Sequence, residues 1–145
     1  MPIVKSDEGR EFSFFGDTVT IKTSCKETNG SYSLMHWTVP AGASAVPHAH
    51  ECYEETFYIL SGELEVLLGE SIQSASAGDF IRVPAGARHG FTNQSEDKVH
   101  MLVGLTPGGM EELFYKFRDN GPLKISGRYA DEARRLHKTE YEYGS

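Results

Sequence analysis

Between about residues 10 and 106 the chain is a succession of short apolar runs, many of them β-branched or aromatic, broken at spacings of about 8–12 residues by Gly, Pro or Asn. That rhythm predicts an antiparallel sandwich or barrel, and helical periodicity is absent from it. Residues 18–22 and 33–39 read as strands with Asn29-Gly30, a strong reversal signal, between them. Along 63–68, Leu64, Val66 and Leu68 face one side while Glu63 and Glu65 face the other, the alternation of a half-buried strand. Residues 79–83, 89–92 and 99–105 complete a set of seven or eight strands, divided by Pro84-Ala85-Gly86 and by the polar run 93–97.

Past Pro107-Gly108-Gly109 the period changes. Met110, Leu113, Phe114 and Phe117 fall at i, i+3, i+4 and i+7, one stripe of an α-helix. Glu111 and Glu112 open that helix, Lys116 and Arg118 close it in keeping with its dipole, and Asn120-Gly121-Pro122 stops it. A second short helix is predicted over 129–138, with Asp131 and Glu132 ahead of Arg134, Arg135, His137 and Lys138. The stretch Tyr141-Glu142-Tyr143 carries no pattern. The expected fold class is all-β with short C-terminal helices, as a single domain over 1–145.

Composition narrows the partners. The 145 residues include 14 Lys+Arg against 21 Asp+Glu, a formal net charge of −7, which disfavours nucleic acid and anionic membrane surfaces. No apolar run approaches the ~20 residues of a membrane helix, and the N-terminus lacks the basic-then-apolar order of a secretory signal, so a cytoplasmic location is expected. Cys25 and Cys52 are too few for a disulfide scaffold and read as reduced thiols. Small molecules and protein partners remain.

The chemistry is concentrated in two stretches. His48 and His50, one residue apart on a strand, project to one face and lie close enough for both imidazoles to bind one ion. Glu55 lies an odd number of residues beyond His50, so it reaches the same face only if the chain turns through Glu51-Cys52-Tyr53; a hairpin is expected there. In the second stretch, Pro84 and Gly86 allow a tight reversal that presents His89 at the start of a strand, where Phe91 and Asn93 share its face. Phe57 and Ile59 share the face of Glu55 in the same way.

These stretches resemble the paired motifs of the cupin superfamily, small jelly-roll barrels that often hold a divalent metal. Gly42, His48, His50, Glu55 and Gly62 fill the first motif, and Gly78, Pro84, Gly86, His89 and Asn93 fill the second, with residues 63–77 between them. Glu54 also satisfies the shorter spacing option, but Glu55 alone stands six residues before Gly62. The resemblance extends over about 30–106 as a metal-binding core, leaving 107–145 as the helical segment. Pro107 to Asp119 is further similar to the ends of single-domain members described as quercetin-dioxygenase-like.

The resemblance implies one divalent transition metal (Fe, Mn, Ni, Cu, Zn or Co) on His48, His50, Glu55 and His89, with Glu55 also a catalytic base. Three neutral imidazoles and a carboxylate leave such a centre at about +1 with open positions, suited to an anionic oxygen. Phe57, Phe91 and His36 are the candidate substrate pocket, although Phe57, Phe80 and Phe91 read more readily as barrel core. His36, His100 and His137 have no partner evident in the sequence. The expected activity is a dioxygenase acting on a small aromatic or enolisable substrate bound through oxygen to the metal. The alternatives are a metal-dependent lyase, isomerase or decarboxylase of a small acid or sugar, and a non-catalytic ligand-binding protein. A homodimer is expected from open sheet edges and apolar stripes.

Overall fold

The structure, a computed structural model, describes residues 2–121 and 126–142. Its elements are β1 (Arg10–Phe14), β2 (Asp17–Thr23), β3 (Ser33–Val39), β4 (Ser44–His50), β5 (Glu54–Ser61), β6 (Glu63–Leu68), β7 (Ser71–Ser76), β8 (Phe80–Val83), β9 (His89–Thr92), β10 (Val99–Thr106), α1 (Met110–Lys116), α2 (Gly127–His137) and β11 (Thr139–Tyr141). Two antiparallel sheets form the jelly roll: six strands in the order β1-β2-β3-β10-β5-β8 and five in the order β11-β4-β9-β6-β7.

Period-two burial builds the core of the six-stranded sheet. Ser33, Met35, Trp37 and Val39 point inward from β3, as do Val99, Met101, Val103 and Leu105 from β10. Register sets them in rows across strands, Phe57 beside Val103 beside Met35, and Ile59 beside Met101 beside Trp37. Each such side chain taken from water stabilises the fold by roughly 1.5–3 kcal/mol.

Several expectations change at the edges. Among the described residues there are eleven strands rather than seven or eight. β7 is almost wholly exposed, so it owes its form to pairing with β6 rather than to an apolar face. β11 is a three-residue strand recruited by β4. β2 and β3 pair as expected, and Asn29 and Gly30 do take positive φ, but within a longer connection. Tight two-residue reversals lie instead between β6 and β7, at Gly69-Glu70, and between β1 and β2, where Phe15 and Gly16 have φ of 47° and 93°.

Both helices stand close to their predicted positions. Phe117 caps the C-terminus of α1 and is buried; the stop signal at Pro122 lies outside the described residues. Glu111, one of the two acidic residues that open α1, is fully buried, and its two carboxylate oxygens accept the N–H groups of Cys25 and Gly109 at 2.7 Å each. α2 is capped by Ser126, whose hydroxyl accepts the N–H of Tyr129.

Candidate metal centre

β4 carries His48 and His50 inward, 7% and 2% exposed. The turn after His50 resets the parity, and Glu55 enters the interior from β5 at 5% exposure while Glu54 turns out to pair with Arg82. This turn is no hairpin, because β4 belongs to the five-stranded sheet and β5 to the six-stranded one. The second motif crosses between the sheets in the opposite sense, from β8 to β9. Gly86, with φ of 84°, supplies the reversal, and its N–H donates to the carbonyl of His50 at 2.7 Å, tying the two motifs together. His89 follows, 1% exposed.

The four side chains converge: one ligand atom from each of His48, His50, Glu55 and His89 lies within 4.8 Å of the others. Each imidazole is oriented by its own Nδ1. His48 Nδ1 lies 2.7 Å from the Val46 carbonyl, His89 Nδ1 3.0 Å from the Ala87 carbonyl, and His50 Nδ1 2.9 Å from the Thr139 hydroxyl. Anchoring each ring through Nδ1 directs its Nε2 into the cluster, the atom through which a metal-ligating imidazole binds.

Electrostatics agree. Burial, then the neighbouring His89 and His50, push the His48 imidazole well below its usual value, so it is neutral near pH 7. Burial alone would raise Glu55, but the nearby His50 imidazole and the hydrogen-bonded His89 outweigh it and hold the carboxylate ionised. His89 is likewise pulled down by burial, and Glu55, 2.9 Å from its Nε2, more than offsets that. His50 Nε2 is left over: it stands 3.6 Å from Glu55 Oε1, too long for a hydrogen bond, and is a buried nitrogen without a partner. A buried orphan of this kind beside a carboxylate and two further Nε2 atoms fits a divalent transition metal of N and O preference. Cys25, Glu111 and Glu112 also approach one another. There, however, Glu111 is occupied by backbone N–H groups and Glu112 makes a two-pronged bond to Arg10, a structural use.

A cavity of about 70 Å³ opens beside the cluster. Phe57 and Phe91 line it, together with Phe14, Trp37, Asp17 and Tyr141. His36 does not reach it. Met35 and Trp37 take the inward positions of β3, so His36 faces outward, half-buried, with Nε2 3.1 Å from His100 Nδ1. His137 also has a partner, the Tyr53 hydroxyl at 2.6 Å. Phe80 is 62% exposed rather than core, because Ile81 and Val83 hold the inward positions of β8. Asn93 is fully buried and structural, its amide donating to the carbonyls of Val39 and Asp97.

Sequence reasoning missed the contribution of the C-terminal strand. Tyr141 stacks on His48 with centroids 4.7 Å apart and 19° between planes, and Thr139 holds His50. The aromatic alternation Phe12, Phe14 before a Phe-Gly turn was the one available signal for the N-terminal wall, since it marks β1 as a strand with an inward face.

Comparison with known proteins follows this architecture. The chain is 30% identical over 115 residues to quercetin 2,3-dioxygenase of Bacillus subtilis (strain 168), spanning 79% of this chain and 33% of that protein. It therefore accounts for about a third of that relative's length. Among solved structures, a predicted oxalate decarboxylase of Thermotoga maritima superposes with a TM-score of 0.66 at 23% identity, covering 73% of this chain and 99% of that one. An RmlC-like cupin of Shewanella frigidimarina gives a TM-score of 0.67 at 18% identity, covering 77% and 96%. Residues 35–104 match the model of the cupin domain, and the jelly roll around them is the fold that these solved structures share.

Proposed function

We propose that His48, His50, Glu55 and His89 hold one divalent transition metal, and that the protein is a dioxygenase acting on a small aromatic or enolisable substrate bound through oxygen. The orphaned Nε2 of His50, facing Glu55 and two further imidazoles beside an aromatic cavity, carries this reading. A metal so held, with roughly one or two coordination positions open, supplies Lewis acidity toward a substrate oxygen. Glu55, kept ionised by its histidines, accepts the proton that enolisation or phenol ionisation releases. Phe57, Phe91 and Phe14 take up the apolar body of the substrate and exclude water. The similarity to a quercetin 2,3-dioxygenase supports oxygen chemistry.

Elemental analysis of protein purified without chelator tests the centre, with about one metal per chain expected and none in His48→Ala/His89→Ala. Oxygen consumption with β-diketones, catechols and flavonols tests the reaction. Uptake matched to substrate loss is expected; none with any of Fe, Mn, Ni, Cu, Zn or Co in place overturns it. The likeness to a predicted oxalate decarboxylase favours one second reading, metal-assisted cleavage or isomerisation of a small acid, recognised by turnover under strict anaerobiosis. A protein that returns every ligand unchanged is a binding module.

We also propose a homodimer. Tyr58 and Leu60 on β5 and Phe80 on β8 form an exposed apolar row on the outer face of the six-stranded sheet. Light scattering should give twice the 16.1 kDa of the chain. Among the described residues no helix is long and apolar enough to cross a membrane.

A further inference from the structure

Among the described residues two carboxyl groups line the cavity, Glu55 and Asp17. The centre proposed above uses only the first. Asp17 begins β2, directly after the Phe15-Gly16 reversal, and Phe14 and Phe15 of the same turn line the cavity with it. Phe15 takes the left-handed region, with φ of 47°, which is strained for a bulky side chain. A locally unfavourable conformation therefore sets Phe15 and Asp17 against the cavity.

Asp17 is 8% exposed, and its Oδ2 accepts the Trp37 Nε1–H at 2.7 Å. Trp37, 7% exposed, is itself part of the lining. Oδ1 has no hydrogen-bond partner among the described residues, and no Lys or Arg lines the cavity. A carboxyl group is an expensive acceptor for one indole N–H. An amide oxygen of the same shape accepts that hydrogen bond without a charge to desolvate. Burial raises Asp17 to about 7, the indole hydrogen bond offsetting part of the rise, so the group ionises around neutrality. Its spare oxygen is thus a polar point in an otherwise largely aromatic part of the lining, separate from the imidazole cluster.

We propose that Asp17, steadied by Trp37, is a second recognition point of the cavity, its free oxygen accepting a hydrogen bond from a hydroxyl group of the substrate. The other end of that substrate carries the oxygen that goes to His48, His50, Glu55 and His89, so the inference rests on the metal-centre reading. The substrate class becomes a small enol or phenol bearing a further hydroxyl, with one polar group for each end of an apolar body. Asp17 determines specificity and takes no part at the reacting atoms.

Two hydroxypyranones test this by calorimetry at pH 8 on protein loaded with one zinc per chain and freed of excess zinc. Kojic acid carries a hydroxymethyl group across the ring from its chelating hydroxyl; allomaltol has a methyl there. Wild type should bind kojic acid at least tenfold more tightly than allomaltol. In Asp17→Asn, which keeps the shape and an acceptor for Trp37, the ratio should fall to threefold or less while allomaltol affinity and zinc content stay unchanged. Equal affinities in wild type overturn this inference alone, and so does a tenfold ratio that survives in Asp17→Asn. If the variant does not fold, the wild-type ratio decides. Binding of neither compound overturns the metal-centre reading and this inference with it.

Discussion

Asp17 and Glu55 are buried to nearly the same extent, 8% and 5% exposed, yet their neighbours drive them in opposite directions. Glu55 has two imidazoles and is held ionised, whereas Asp17 has burial and a single neutral donor and is raised from 3.8 to about 7. Between those two values the native state binds the proton that the unfolded chain has lost, so stability contributed by protonated Asp17 is present at low pH and disappears as pH rises to about 7. The full shift corresponds to about 4 kcal/mol. Asp17→Asn should accordingly gain on wild type by about 2 kcal/mol between pH 5 and pH 7.5 in urea unfolding; parallel pH profiles would refute the ionisation. Glu55→Gln keeps shape but removes charge, and metal affinity should fall by about 100-fold in competition titrations. The four clustered residues were legible because strand parity and spacing act within a dozen residues. Asp17 was not, since its meaning depends on Trp37 twenty positions away on the next strand. His36 failed as a pocket residue for a plain reason: Met35 and Trp37 hold the inward phase of β3.

At the scale of elements, α1 was readable because four apolar residues at helical spacing and charges matched to the dipole agree with one another, whereas α2 starts at Gly127, so Asp131 and Glu132 fall past its first turn and only its basic last turn matches the expected charges. The polar β7 and the short β11 had no such internal signal, and only their partners make them strands. β11 nonetheless matters to the cluster. It pairs with β4 so that Thr139 stands opposite His50 and Tyr141 opposite His48, and the Tyr141 hydroxyl is fastened 2.7 Å from that of Tyr129 on α2. Thr139→Val leaves His50 Nδ1 without its acceptor in a buried site. Stability should drop by about 1–3 kcal/mol, and metal affinity by about 10–100-fold. Thr139→Ser should restore both; an affinity unmoved by Thr139→Val would show that β11 packs on the histidine without orienting it.

For the whole molecule, the Gly-, Pro- and Asn-punctuated apolar runs disclosed the all-β class, while the partition of strands between sheets stayed hidden. The Glu51–Tyr53 turn looked like a hairpin because parity demanded a reversal, and parity is equally satisfied by a crossing from one sheet to the other. That crossing has a mechanical consequence. His48, His50 and His89 come from β4 and β9 of one sheet and Glu55 from β5 of the other, so an ion gripped by all four is a rivet through both layers. Its binding free energy then opposes separation of the sheets, adding about 4 kcal/mol at a thousandfold excess over the dissociation constant. Amide exchange should slow together in β4, β9 and β5 on metal loading, while β1 at the far edge of its sheet keeps its own rate.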